Sequence, residues 1–103
     1  MIRVPTNRAP QHPGQILMED YLQPLGLSQS KLAKELGITY ARLNELIHGK
    51  RGMTVDTALR LERFFGVSAQ SWLNAQLRWE LYHAVHAKKT GKTLAKIRPL
   101  RVA

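Results

Sequence analysis

The chain has 103 residues and no cysteine, which excludes disulfide bonds and thiolate metal sites and fits a reducing compartment. Its length predicts one domain with a small core, and its apolar content of 44% is ordinary for a globular protein. The formal net charge of +9 favours a polyanionic partner, although charge alone does not separate nucleic acid from an acidic protein or an anionic membrane.

Residues 1–12 are expected to form an irregular, flexible arm because two prolines and an asparagine oppose regular structure there. The arm lacks the apolar segment of a secretory signal, and the chain has no run near the ~20 apolar residues that span a bilayer. The sequence therefore predicts a cytoplasmic protein with no membrane partner. A first helix is predicted to begin at Pro13, since proline is favoured at the first helical position, and to end near Pro24 and Gly26.

The most informative part of the sequence predicts two short helices joined by a tight turn at Gly37, where a positive φ is needed. The first begins at the N-cap Ser28 and ends near Leu36, and the second begins at the N-cap Thr39 and ends near His48. This arrangement is the helix-turn-helix, whose second helix enters the DNA major groove. The alternative is an ordinary helical hairpin that is packed for stability alone.

A basic loop, Lys50-Arg51, precedes a fourth helix that Thr54 caps and Gly66 ends. The apolar surface of this helix is assigned mainly to Ala58, Leu59, Leu61 and Phe65. Ser68 caps a fifth helix, which is predicted to reach residue 87 or 88. The order of elements indicates an all-α domain with short loops and local contacts.

The fifth helix carries two apolar stripes, whereas docking on a small domain needs only one. The first consists of leucines at positions 73, 77 and 81. The second is assigned to a homodimer interface formed by Trp72, Ala75, Trp79 and Tyr82. The alternative is that both stripes are buried within one subunit.

Residues 88–103 contain six of the 16 basic residues and no acidic residue, which leaves ten basic and all seven acidic residues in residues 1–87. We expect this basic tail to be mobile or partly ordered. The alternatives are a disordered segment whose charges reach phosphate, and a short strand formed by Ile97, Leu100 and Val102 against a partner. The domains are thus the arm (1–12), the helix-turn-helix domain with a dimerising fifth helix (13–87) and the tail (88–103).

The spacing of six residues resembles the lambda-repressor-like (XRE) helix-turn-helix family: Gln29, Ala33, Gly37, Ile38, Leu46 and Gly49. Residues 12–81 also resemble the HigA-type antitoxins of bacterial toxin–antitoxin pairs. The more specific parts of this resemblance are His12-Pro13-Gly14, the segment from Asn44 to Gly52, the segment from Thr54 to Ala58, and Trp72-Leu73. The resemblance implies a five-helix lambda-repressor-like domain with a flexible arm and a basic tail. It also implies a cytoplasmic homodimer that represses its own promoter by binding an inverted repeat of operator DNA, and that inhibits a HigB-type RNase toxin.

The resemblance also places base reading on the outward face of the second helix of the pair, at Thr39, Tyr40, Ala41, Arg42, Asn44 and Glu45. Arg42 suits a guanine or a phosphate, and Asn44 suits an adenine if it points outward. Glu45 is expected either to accept from a cytosine amine or to orient Arg42. Phosphate contacts are assigned to Gln29, Lys50, Arg51 and Thr54.

The sequence has no phosphate-binding loop, no H-E-x-x-H motif and no cysteine nucleophile, so we predict neither an enzyme nor a cofactor. Glu80, His83 and His86 follow a spacing that metal ligands use on helices, but no second acidic pair accompanies them. We therefore interpret them as a polar rim of the fifth helix and predict no metal site.

Three functions agree with these features. The leading hypothesis is an antitoxin that also represses its own operon, and the second is a stand-alone repressor of the XRE type with no toxin. The third is a protein-interaction scaffold that no longer binds DNA, because Glu45 on the reading face would repel phosphate. Toxin contact is assigned either to local acidic residues such as Glu19 and Asp20 or to apolar surface. The sequence does not distinguish these two surfaces.

Overall fold

The structure is a computed structural model that describes residues 9–101, so most of the expected arm lies outside the described residues. Six helices form the described chain, and no residue of this range is in a strand. Helix α1 consists of three contiguous segments, the middle one π-helical: Pro13–Ile16, Leu17–Leu22 and Gln23–Leu25. The others are α2 (Gln29–Leu36), α3 (Tyr40–Ile47), α4 (Val55–Phe65), α5 (Ala69–His86) and α6 (Lys88–Ala95).

The all-α class is confirmed, but the predicted number of five helices is wrong because the basic tail contains α6. The backbone is extended at Ala87, with φ −79° and ψ 128°, and returns to a helix at Lys88. Helix α6 covers only the first half of the tail, and residues 97–101 have no regular secondary structure. The alternative strand is not formed at Ile97 and Leu100, and Val102 lies outside the described residues.

The starts of α2, α3, α4 and α5 are set by side-chain caps, as predicted. The hydroxyl oxygens of Ser28, Thr39 and Thr54 accept hydrogen bonds from the backbone N–H three residues later, at 3.1, 3.1 and 3.2 Å. Ser68 does the same for Ser71 at 3.1 Å. Each cap satisfies a donor that the helix leaves without a partner, so these boundaries are determined locally.

The start of α1 has a cap that the sequence analysis did not identify. The Nδ1 atom of His12 accepts a hydrogen bond from the backbone N–H of Gly14 at 3.0 Å, and Pro13 occupies the first helical position. Gly14 lies directly against the backbone of α3, where an added Cβ would collide with the carbonyl of Leu46. These three residues therefore start α1 and let it approach the end of α3 closely.

Helices α1 to α5 enclose one core that is built mainly from leucines. Its largest fully buried side chains include Leu17, Leu22, Leu32, Leu43, Leu46 and Leu61. Leucines three or four positions apart on a helix share a face, so each helix turns one side to this core. The resulting packing holds α2 and α3 in contact.

Two assignments of apolar residues are corrected by the burial pattern. Trp72 is 2% exposed and Ala75 is 5% exposed within the single chain, so they belong to the core and do not form a dimer interface. Leu59 was assigned to the apolar surface of α4 but is 52% exposed, whereas Ala58 and Leu61 beside it are fully buried. In both cases the tertiary packing selects which of two neighbouring helix faces points inward.

Helix α6 follows α5 after the single residue Ala87 and has no buried residue, whereas α1 to α4 and the first turns of α5 form the compact part of the fold. None of the helices between residues 9 and 101 is long and apolar enough to cross a membrane.

Candidate nucleic-acid interface

The turn between α2 and α3 leaves the start of α3 open to solvent. Gly37 adopts φ +70° and ends α2. Its backbone N–H and that of Ile38 donate hydrogen bonds to carbonyls in the last turn of α2. Thr39 caps α3, and Tyr40 and Ala41 are exposed in the first turn, Tyr40 by 52%. A hydroxyl-bearing aromatic ring and a methyl group are thus presented where a recognition helix would meet base edges.

Asn44 joins α3 to the start of α2. Its Nδ2 atom donates to the Oε1 atom of Gln29 at 2.9 Å, and both side chains are half-buried. One predicted base-reading residue and one predicted phosphate contact are therefore brought together. The bond points the Asn44 amide toward the first turn of α2 and joins the middle of α3 to the start of α2.

Arg42 ties the first turn of α3 to the first turn of α4. Its Nη2 atom donates to the Oδ2 atom of Asp56 and to the hydroxyl of Thr57, both at 2.7 Å. The same Asp56 oxygen accepts from the Nε atom of Arg60 at 2.9 Å. Hydrogen bonds from Arg42 and then Arg60 lower the pKa of Asp56, so the carboxylate form is favoured. A guanidinium has five N–H donors, so Arg42 keeps others for a ligand.

The network extends to the end of α2. The Nη1 atom of Arg60 donates to the carbonyl of Leu36 at 2.7 Å and lies 3.2 Å from where a Cβ of Gly37 would be. The sequence singled out neither Arg60 nor Asp56 as part of this site. The detectable signal was the i, i+4 pairing of these two residues on α4, with Asp56 in the first turn.

Glu45 binds Arg51 and does not orient Arg42, which corrects that expectation. Its Oε1 atom accepts from Nε and Nη2 of Arg51 at 3.1 and 2.8 Å. This pair connects α3 to the basic loop and places a cation beside the one carboxylate on the reading face. The charge of Glu45 is therefore less of an obstacle to DNA than the sequence suggested.

The other predicted phosphate contacts flank the reading face. Lys50 is exposed in the loop after α3, where Gly49 has φ +71°. Thr54 is exposed at the start of α4, but its hydroxyl is already used twice, since it accepts from the N–H of Thr57 and donates to the Thr57 hydroxyl at 3.1 Å. A phosphate near Thr54 would thus meet backbone N–H groups in preference to the hydroxyl.

The later turns of α5 leave side chains of both predicted stripes partly exposed. Trp79 is half-buried, with its ring 4.9 Å from that of His12, and Tyr82 is half-buried and stacks on His86 at 4.1 Å. Leu77 and Val85 are 43% and 57% exposed, with the partly exposed Leu81 between them. We call the row that contains the two more exposed residues, Leu77–Leu81–Val85, the α5 stripe.

The polar rim of α5 has a structural role. Glu80 accepts from the Nε2 atom of Gln76 at 3.1 Å, and the buried Oε1 atom of Gln76 accepts from the backbone N–H of Met53 at 2.7 Å. Gln76 thus holds the loop that leads into α4. Between residues 9 and 101, no group of three His, Asp or Glu side chains is arranged to hold a metal ion.

Residues 18–72, more than half of the chain, match the helix-turn-helix family HTH_3. The chain belongs to this family. Virulence-associated protein I of Dichelobacter nodosus is 52% identical to it over 79 residues, which cover 77% of this chain and 73% of that protein. The Escherichia coli K12 transcriptional regulator YbaQ is 33% identical to it over 90 residues, which cover 87% of this chain and 80% of YbaQ.

A solved structure supports the narrower resemblance. The Pseudomonas aeruginosa antitoxin HigA with the higBA promoter superposes with a TM-score of 0.81 at 35% identity, covering 89% of this chain and 99% of that one. The resemblance to HigA-type antitoxins of the XRE family is thus confirmed. Membership of a DNA-binding family also confirms the prediction that the chain is not an enzyme.

Proposed function

We propose that the chain is the antitoxin of a toxin–antitoxin pair, which neutralises a HigB-type RNase toxin and, as a homodimer in the cytoplasm, represses transcription from its own operator. The observation that carries the DNA-binding half is the exposed first turn of α3, braced by α2 and α4, in a chain similar over nine tenths of its length to a promoter-bound antitoxin. Two such helices, related by a two-fold axis and one DNA turn apart (~34–36 Å), would match an inverted repeat.

In this proposal, the reading residues act in two groups. Thr39, Tyr40 and Ala41 are exposed and meet base edges directly, with Tyr40 and Ala41 suited to a thymine methyl group. Arg42 and Asn44 are oriented by their bonds to α4 and α2 and use their remaining donors on DNA.

Phosphate contacts flank these reading residues. We assign them to the side chains of Gln29, Lys50 and Arg51 and to the backbone N–H groups at the start of α2 and at the start of α4, which Thr54 caps.

Binding to the promoter of its own gene tests the operator half. We expect the full chain to bind a duplex that carries the inverted repeat more tightly than a shuffled duplex, and Tyr40→Ala to reduce that preference. Glu62→Gln, on an exposed residue of α4, is the matched control and should leave it unchanged. Equal affinity of the wild-type chain for both duplexes would contradict the operator half and favour the interaction scaffold.

Co-expression with the product of the adjacent small reading frame tests the toxin half. We expect a stable complex and restored growth, since neutralisation requires binding. The acidic surface proposed for the toxin is exposed on the π-helical segment of α1, where Glu19 accepts from Gln11 and Gln15 and Asp20 faces solvent. The double variant Glu19→Gln/Asp20→Asn distinguishes this surface from an apolar one. Toxin binding should be lost if the toxin contacts the acidic residues and retained if it contacts apolar residues.

The second candidate is a stand-alone repressor of the XRE type. The observation that favours it is the similarity to the E. coli protein YbaQ, which is named a transcriptional regulator. No complex and no toxicity from the neighbouring product, together with normal promoter binding, would select this function over the antitoxin.

A further inference from the structure

The sixth helix has a strongly one-sided charge. With 3.6 residues per turn, its lysines Lys88, Lys89, Lys92 and Lys96 fall within an arc of about 100°. All four are exposed. The opposite side carries Thr90, which is half-buried, and Leu94, which is 54% exposed. The lysines therefore form one exposed cationic face of α6.

No acidic residue balances this face. The last acidic residue of the sequence before α6 is Glu80, and none follows it. The ion pairs found among residues 9–101 involve Lys31, Arg42, Arg51 and Arg60, and none of the α6 lysines. Beyond the helix, Arg98 and Arg101 are exposed and extend the same unbalanced charge.

The helix is also poorly stabilised by its own sequence. Like charges four residues apart repel, and here they occur at Lys88–Lys92 and Lys92–Lys96. Two lysines occupy the first turn, where the helix dipole disfavours cations, and Ala87 provides no side-chain cap. A polyanion bound along the lysines would reduce both the repulsion between them and their unfavourable interaction with the helix dipole. The helix is therefore more stable when a polyanion is bound than when it is free.

We propose that the lysine face of α6 is a second DNA-binding surface, which holds the phosphate backbone outside the site that α3 reads. Successive lysines along Lys88, Lys92 and Lys96 are separated by ~6 Å of helix rise, and a DNA strand carries a charge every ~3.4 Å along its axis. A row of cations on one helix face can therefore neutralise several phosphates at once. This assignment rests on the proposed DNA-binding function, and it adds affinity without sequence preference.

The salt dependence of binding tests this surface. Each lost phosphate contact reduces the magnitude of the negative slope of log K against log salt concentration by ~0.9. We compare the full wild-type chain with Lys92→Gln/Lys96→Gln, since glutamine keeps the helical propensity. The probes are a duplex with the inverted repeat and a shuffled duplex of equal length. We expect the magnitude of the slope to fall by ~2 on both duplexes, so that raising salt from 50 to 200 mM weakens the variant about tenfold less than the wild type.

Lys34→Gln/Arg63→Gln is the matched control, since it removes the same charge from exposed residues near the ends of α2 and α4. The control should retain the wild-type slope. An unchanged slope in the α6 variant would overturn the proposal. If this variant instead lost binding to vesicles that contain anionic lipid, the lysines would be assigned to a membrane surface. If the wild type does not prefer the inverted repeat, the operator function fails, while the slope on the shuffled duplex still tests α6.

Discussion

His12 makes two contacts, of which the helix cap depends on its neutral form. Its unprotonated Nδ1 atom caps α1, and its ring packs edge-on against Trp79 of α5. Burial lowers the pKa of His12, and the carboxylate of Glu80 opposes that shift without cancelling it. One side chain thus joins the start of the fold to the helix that carries the α5 stripe.

We predict that acidification destabilises the protein through this residue. The folded-state pKa lies below the unfolded value of about 6.5, so the contribution of neutral His12 is complete above that pH and is lost as the pH falls through the folded pKa. Denaturant midpoints at several pH values between 7.5 and 5 measure it. His12→Asn keeps a capping oxygen but does not titrate, so its midpoint should vary less with pH. An equal decline in both proteins would assign the effect to other groups.

For Arg42, we predict a role in base reading that depends on Asp56. Arg42→Ala should weaken operator binding by ~1–3 kcal/mol if the guanidinium holds a guanine. Asp56→Ala should weaken it in the same direction, because the carboxylate that orients Arg42 is lost. Binding is measured on a panel of single-base operator variants, with Glu62→Gln as the control. An unchanged preference among these variants in Arg42→Ala would remove Arg42 from base reading and leave it as a link between α3 and α4.

At the scale of elements, glycine has opposite roles in α1 and α6. Gly14 is required because the backbone of α3 occupies the space that a Cβ would need, at the carbonyl of Leu46. We predict that Gly14→Ala destabilises the fold by roughly 1–3 kcal/mol or more, since backbone cannot move aside as a flexible side chain can. Urea unfolding measures the change. A wild-type midpoint would show that α1 can shift without loss.

Gly91 has no such constraint, because a Cβ there meets nothing within 4 Å and its φ is not positive. We predict that Gly91→Ala stabilises α6 by roughly 0.5–1 kcal/mol, the difference in helix propensity between the two residues. Amide hydrogen exchange within α6 is the appropriate measurement, because a peripheral helix can open without global unfolding. Faster exchange in the variant would contradict the helical state of this segment.

The helices differ in how well they could be predicted from their own residues. The starts of α2 to α5 were predicted because each depends on one hydroxyl and a backbone N–H three residues away. Helix α6 was not predicted, because it has no cap, contains Gly91 and carries repelling lysines, so its local signal is weak. The π-helical middle of α1 was likewise not predicted, since a widened turn leaves no distinct pattern in the sequence.

At the scale of the whole molecule, we predict that the α5 stripe mediates dimerisation. Leu77→Glu/Val85→Glu should yield monomers by light scattering, since it places charges in an apolar contact. Leu59→Glu on α4 is the control, because that leucine is equally exposed but lies off the stripe. Trp79→Glu is a less decisive variant, as Trp79 also packs on His12. A dimeric double variant would locate the interface elsewhere.

The amino-acid sequence by itself determined the helix-turn-helix and its capped boundaries, because these depend on contacts within a few positions of the chain. Only the tertiary structure decided which face of α5 is buried, since Trp72 and Leu77 are equally apolar and only packing against α1 to α4 distinguishes them. It also decided the partners of Arg42 and Glu45, because Asp56 and Arg51 lie 14 and 6 residues away and meet them only after the helices pack.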